Sequence, residues 1–330
     1  MNQSKVTHRA AGRGNETIKC SVILTSCNRA AALEKTLRAF GEVSVPTGWG
    51  AELIVVDNAS KDHTTDVVRA AQLPNFNIQC LYEGRAGKSN ALNTALAAAQ
   101  GEVLLFTDDD VVPARDWLEK VATPLLLREC EGVMGQLLLA DDLLRPWMKT
   151  EHKMALSAFD GPTNELVGAN MGLHRSVFQC IPGFDNELGP GISGFGEETL
   201  LTWQMEKAGF RLKWVPEAVV VHHPDVSRLA RSQWLNGARK RGRSSAYLLH
   251  HWQHGQIKRP LIHGYYLSTK LLIRRMLQRP PAPDAEGCPP WEMSYAAEIE
   301  MCRQFIKERR RPRNYARHGL KKITVDDQGD

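Results

Sequence analysis

Between Lys19 and Leu139 the chain alternates short apolar runs with amphipathic ones, and this alternation constrains its fold more than any other feature. Val22 to Thr25, Leu53 to Val56, Ile78 to Tyr82 and Val103 to Phe106 read as strands. Ala30 to Phe40, Asp62 to Ala71 and Lys88 to Ala99 lie between them and read as helices. Near-continuous apolar strands are covered on both faces, and a helix between two of them returns the chain for parallel pairing. The expected fold is α/β, with a mostly parallel central sheet and helices on both faces. Ligands of such sheets bind beyond the carboxyl ends of the strands. Three polar clusters fall there: Thr25-Ser26-Cys27-Asn28-Arg29, Asp57-Asn58 and Asp108-Asp109-Asp110.

The third cluster is the most acidic. Three carboxylates at one strand end repel each other, and a hard divalent cation with oxygen ligands relieves that repulsion. On these residues alone a solvated turn, with one Asp capping a helix that starts near Ala114, remains open. Gly84 to Ser89 ends in Gly-Lys-Ser but is not a phosphate loop of the GxxxxGKS kind, because Tyr82 stands where the first glycine belongs. Lys88 and Arg85 are either diphosphate neighbours or exposed helix-start charges. Cys27 has no partner that would make it a nucleophile.

The seven cysteines (20, 27, 80, 130, 180, 288 and 302) form no CxxC pair, which argues against structural zinc and a disulfide framework and fits a reducing compartment. Residues 1–19 lack the apolar core of a signal peptide, and no apolar run is long enough to span a bilayer. The expected location is cytoplasmic, with peripheral contact at the inner face of the plasma membrane. Residues 307–322 hold eight Lys/Arg against Glu308 alone, so the net charge of +5 is a property of the tail. An anionic membrane would attract such a tail, a solubilising role is equally open, and no nucleic-acid partner is expected. Leu261 to Leu277 mixes apolar residues with Lys270, Arg274 and Arg275, and suits either a membrane surface or packing on the domain.

In the second half, Leu166 to Leu173, Arg211 to Val215 and Ala218 to Val221 read as strands, the last ending at His222-His223. Gly189 to Gly196 carries four glycines and is expected to be a mobile loop leading into a helix over Glu197 to Gly209. The expected organisation is a flexible N-terminus (1–18), a catalytic domain (19–225), a helical extension (226–279), a Pro-rich linker (280–290), and a C-terminal helix with a basic tail (291–330).

From Lys19 to His223 these elements resemble the family 2 glycosyltransferases, inverting nucleotide-sugar enzymes with a Rossmann-like GT-A fold. Val22 to Arg29 (VILTSCNR) is similar to their first strand and nucleotide turn, and Ile54 to Ser60 (IVVDNAS) to the strand carrying a base-contacting aspartate. Asp108-Asp109-Asp110 matches the DxD element. Gly168 to Arg175 and Gly183-Phe184-Asp185 fall at the acceptor-side strand and turn, and Gly196-Glu197-Glu198 resembles the motif holding the catalytic base. That motif usually has Asp where this chain has Glu198, so either Glu198 or Glu197 takes the role. Leu200 and Gln204 replace an acid and an arginine often found further along that helix.

The resemblance implies a nucleoside-diphosphate sugar donor (UDP or dTDP favoured), a carbohydrate or lipid-linked acceptor, and Mn2+ or Mg2+. It implies Asp110 and His222 as metal contacts and Glu198 as the general base. Thr25, Asn28, Arg29, Asp57, Lys88, Asp108 and Asp109 are the implied nucleotide-sugar contacts, Asp109 being the one that the strand pleat turns away. A nucleotidyltransferase is disfavoured because Thr25 to Arg29 contains no glycine, and a P-loop kinase because of Tyr82. A decayed binding protein is disfavoured by intact Asp57, Asp108, Asp110 and Glu198. Processive synthases carry membrane helices and a QxxRW element that this sequence lacks, so a single addition in cell-surface polysaccharide or glycolipid synthesis is expected.

Overall fold

The computed structural model describes residues 6–8, 17–159 and 161–323. Its strands are β1 (Val6–His8), β2 (Ile18–Ser26), β3 (Gly50–Asp57), β4 (Asn77–Tyr82), β5 (Val103–Thr107), β6 (Val111–Pro113), β7 (Gly132–Leu139), β8 (Asn170–His174) and β9 (Leu212–His222). Its helices are α1 (Ala30–Gly41), α2 (Thr64–Ala70), α3 (Lys88–Ala98), α4 (Trp117–Leu126), α5 (Thr150–Ala155), α6 (Val177–Cys180), α7 (Glu197–Lys207), α8 (Arg231–His251), α9 (Pro260–Gln278) and α10 (Pro290–Glu308). Most of the N-terminus expected to be flexible, and the tail from 324 on, lie outside the described residues.

One sheet runs β1-β4-β3-β2-β5-β8-β7-β9-β6. The four strands foreseen in the first half pair in parallel, as β4-β3-β2-β5. Beyond β5 the sheet is mixed, because β8 pairs antiparallel with both β5 and β7. The pleat divides the core between the two faces. Val22, Leu24 and Val55 pack with Leu33, Phe40, Trp117 and Val121 on one face. Ile23, Ile54 and Val56 pack with Leu92, Ala95, Leu201 and Met205 on the other.

Three boundaries differ from the sequence reading. The helix expected near Ala114 starts at Trp117, because Val111–Pro113 first pairs with β9. The two strands expected over 211–221 are one, β9, whose register against β7 jumps from Val215 to Val219. Pro216 lies in that bulge and has no N–H to give the ladder. The strand expected from Leu166 begins only at Asn170. Asn170 is buried, accepts from Trp117 Nε1 and donates to the carbonyls of Gln136 and Ala218, each at 2.8 Å.

The C-terminal helices pack on the sheet domain. Trp234, Leu235, Met293 and Ala296 share a core with Leu139, Leu143 and Leu156. Segment 280–290 is held down by Glu286, paired with Arg145 at 2.7 Å, and by the buried Cys288. The basic tail is partly engaged inside the protein: Arg311 pairs with Glu187 and Glu308, Lys322 with Asp185, and Tyr315 is buried.

Candidate active site

The carboxyl ends of β2 and β5, the turn that follows β5, the start of α7 and the end of β9 surround a cleft of about 1150 Å³. Thr25, Arg29, Lys88, Asp108, Asp109, Asp110, Glu198 and His222 all line it, so eight of the ten expected site residues come together.

The acid turn is the floor. Asp110 is buried, with Oδ2 at 2.6 Å from Arg29 Nη2 and Oδ1 at 3.3 Å from His222 Nε2. Asp109 accepts from Ser26 Oγ at 2.6 Å and from Arg29 Nη1 at 3.0 Å, and Asp108 holds Lys88 Nζ at 2.6 Å. Burial opposes ionisation of Asp110, but His222 and Arg29 outweigh it and keep the carboxyl below the usual range. For Asp109 burial wins over Arg29 and Ser26 and pushes the carboxyl up to about 6. The two neighbours therefore hold their protons differently, and Asp110 is the stronger anionic donor.

His222 Nδ1 lies 2.8 Å from the carbonyl of Leu156, which only accepts, so Nδ1 carries the proton. In the neutral ring Nε2 then turns a lone pair toward Asp110 Oδ1. Two lone pairs so placed repel unless a proton or a cation stands between them, and this donor set fits a divalent ion. No group of three or more His, Cys, Asp or Glu arranged to hold an ion occurs among the described residues. Asp110 and His222 would supply two donors and leave the remaining positions to ligand oxygens, the usual arrangement where such an ion sits on a diphosphate. His223 is exposed, and its backbone N–H donates to Asp110 O at 2.7 Å.

On the facing wall Gly196 adopts φ 97°, a left-handed conformation that opens α7 and turns both glutamates inward. Glu198 reaches the cleft, with Oε1 at 3.7 Å from Lys88 Nζ. Glu197 is 2% exposed, and its Oε2 is buried without a partner among the described residues. Burial, then the adjacent Glu198 carboxylate, raises Glu197 well above the ordinary range, so Glu197 is the member of the pair that keeps its proton. Burial disfavours the charged Lys88, but the carboxylates of Asp108 and Glu198 outweigh it and hold the ammonium charged. A Cβ at Gly168 would collide with Glu198 Oε1, so a larger residue there would displace the Glu198 carboxylate. The loop before Gly196, expected to be mobile, is bonded at both ends: Lys88 N donates to Pro190 O at 2.9 Å and Phe195 N to Ser244 Oγ at 3.2 Å.

Two expected contacts do not line the cleft. Asp57 is 3% exposed and accepts from Ser60 N at 2.9 Å and from Thr65 Oγ1, so its carboxylate is engaged in its own turn. Asn28 ties two strand ends together, its Oδ1 accepting from Lys61 N at 2.7 Å. Asn58, not Asp57, lines the cleft. Arg85 pairs with Glu83 at the surface and is not a cleft residue. Cys27 does reach the cleft, where burial and then Asp57 raise its thiol, which agrees with an unactivated loop residue.

Asp185, in the Gly183-Phe184-Asp185 segment, is a structural hub. It accepts from the hydroxyls of Tyr247 and Tyr315, each at 2.7 Å, and pairs with Lys322 at 2.6 Å. Breaking a buried network of this kind costs about 3–5 kcal/mol. Asp185→Ala is expected to lose that much stability in denaturant unfolding, and stability within about 1 kcal/mol of the unaltered protein would refute the hub.

Sequence reasoning missed the cations on the far side. Arg228, Lys240 and Arg241 all line the cleft. Burial lowers Arg228 from its ordinary value while Asp110 pulls the other way, and its guanidinium makes no hydrogen bond or ion pair among the described residues. Arg241 lies over the Phe195 ring at 5.2 Å. Trp203, stacked on Trp252 with centroids 5.4 Å apart, adds an aromatic wall. The one sequence signal for Arg228 was its place just after the His222-His223 strand end.

Residues 21–181 match the family model for glycosyl transferase family 2, and this stretch of the chain belongs to that family. An N-acetylglucosaminyltransferase of Rhizobium meliloti (strain 1021) is 30% identical over 200 residues, 56% of this chain and 47% of that protein. The chain thus spans about half the length of that relative. The succinoglycan biosynthesis protein ExoM of the same organism is 27% identical over 255 residues, 76% of this chain and 78% of that protein. The mannosyltransferase PcManGT from Pyrobaculum calidifontis, solved in complex with GDP-Man and Mn2+, shares the fold at a TM-score of 0.52 and 22% identity. That match covers 89% of this chain and 73% of the other, and the fold is of the GT-A type.

Proposed function

We propose that this protein is a metal-assisted glycosyltransferase that moves a sugar from a nucleoside-diphosphate sugar to an acceptor hydroxyl, with inversion and by single addition. The pathway we propose is cell-surface polysaccharide or glycolipid synthesis, by analogy with the named relatives. One observation carries the reading: the carboxylate floor of Asp108, Asp109 and Asp110 faces the unpaired Arg228 across one cleft. A diphosphate satisfies both walls, being anionic toward Arg228 and rich in cation-binding oxygens toward Asp110 and His222. A bound Mn2+ or Mg2+ would act as a Lewis acid on the leaving diphosphate.

The chain's own residues supply the rest. Arg228, with Lys240 and Arg241, offsets the charge that develops on the leaving group. Glu198, beside the charged Lys88, takes the proton of the acceptor hydroxyl. Glu197 keeps its own proton, and Asp108 is held by Lys88 at 2.6 Å, so Glu198 is the carboxylate at the start of α7 that we assign to the acceptor. That suits direct displacement with inversion better than a double displacement, which needs a carboxylate nucleophile. The acceptor we propose is a carbohydrate or lipid-linked sugar, for which Trp203 offers a stacking surface.

The expected preference for UDP or dTDP rested on Asp57, which does not line the cleft, so a donor panel decides it. Hydrolysis of UDP-, dTDP- and GDP-sugars with added Mn2+, measured as released nucleotide, is expected for at least one donor and is expected to stop with EDTA. Absence of both hydrolysis and calorimetric binding across the panel would refute the reading.

A further inference from the structure

Helix α9 departs from the rest of the surface. Sixteen large hydrophobic residues are exposed among the described residues, and eight of them lie on this helix. They are Leu261, Ile262, Tyr265, Tyr266, Leu272, Ile273, Met276 and Leu277, with Tyr265 77% and Leu277 78% exposed. At 3.6 residues per turn they fill one continuous arc of roughly 160°. The helix does not need that arc for packing. Its other side docks on α10 through the buried Leu267 and Leu271, which meet Ile299.

Charge frames the arc and has one sign. Lys270 and Arg274 border it, Lys258 and Arg259 precede it, and Arg279 ends it, while Arg275 is paired with Glu292 of α10 at 2.6 Å. No Asp or Glu occurs from Lys258 to Arg279. Lys270 Nζ sits 4.5 Å from the Tyr266 ring and Arg274 lies 4.6 Å from the Trp291 ring, which lays cationic stems along aromatic surface. A second copy of the chain is a poor occupant, because a two-fold contact would bring like charges together with no carboxylate on the helix to pair them. No helix among the described residues is long and apolar enough to cross a membrane, so the face would meet a bilayer lying flat.

We propose that α9 is an in-plane membrane anchor, whose apolar arc enters the headgroup boundary of an anionic bilayer while its basic rim meets the lipid phosphates. Tyrosine suits that depth, with an apolar ring and a polar tip. Two of the eight cations of the basic tail, Arg311 and Lys322, are engaged within the protein, whereas the α9 arc joins apolar surface to charge.

The test is co-sedimentation of the full chain with vesicles of phosphatidylcholine alone, or with one-third phosphatidylglycerol. The protein is expected to sediment with the anionic vesicles and to bind neutral ones at least about tenfold more weakly. A variant carrying Leu261→Ser, Tyr265→Ser, Leu272→Ser and Met276→Ser is expected to lose binding by at least about tenfold. It is expected to keep its thermal unfolding midpoint and its nucleotide binding, because these side chains touch neither core nor cleft. Leu127→Ser, at an exposed site elsewhere, serves as a control and is expected to change nothing. Equal sedimentation of the parent and the fourfold variant, or no binding to anionic vesicles, would overturn the proposal. So would light scattering that showed a dimer in the parent and a monomer in the variant, because the arc would then be an interface between copies.

Discussion

Exchanging Glu198 for Gln is expected to lower turnover by about 10²- to 10⁴-fold while donor affinity stays within about twofold. The change keeps the volume at the start of α7 and removes only the proton acceptor. In barrier terms the loss is roughly 3–5 kcal/mol. The sharper half of the result concerns the neighbour. Glu197 keeps its proton because it is buried beside the Glu198 carboxylate, and Gln is the isostere of a protonated Glu. Glu197→Gln is therefore expected to retain turnover within about threefold, a change far below the loss of a base. Steady-state rates and donor titrations of both variants decide the register of the motif. A collapse in Glu197→Gln with near-normal Glu198→Gln would exchange the two roles.

The second large effect belongs to Asp110. Removing a carboxylate that holds a cation is expected to cost at least about 100-fold in metal-dependent nucleotide affinity, more than the loss of a supporting group around a metal. Asp110→Ala also loses the contacts to Arg29 and His222, so a lower thermal midpoint is expected, while Arg29 keeps Asp109 at 3.0 Å. A cooperative thermal transition above the titration temperature, measured beside the titration, separates a lost ligand from a lost fold.

The first half of the fold was legible because its strands are unbroken apolar runs, such as Leu53 to Val56, whose burial on both faces leaves little choice of pairing. The second half was less so. Pro216 splits β9 into two apparent strands, and only the facing β7 shows that the ladder resumes at Val219. Within the site, Asp110, His222, Lys88 and Glu198 were legible because each closes or opens an element with a clear period. Asp57 had the same signal, but its turn supplies Ser60 and Thr65 as local partners, and a side chain engaged in its own turn reads in sequence like one facing a ligand. Arg228 gave no motif at all. Its meaning comes from being half-buried in the cleft of the acid floor, with no ion pair among the described residues, a relation between elements that no single stretch of sequence contains. The apolar arc of α9 was visible as composition, and whether it packs inward or faces out is a property of where α10 lands.

The most direct test of a diphosphate held between Asp110 and Arg228 is calorimetric titration of UDP, dTDP and GDP into the parent protein and Asp110→Ala, each with Mn2+ and with EDTA. The account predicts binding of at least one nucleotide by the parent only when Mn2+ is present, and none by Asp110→Ala under either condition. Binding of equal strength by both proteins, unaffected by EDTA, would contradict it.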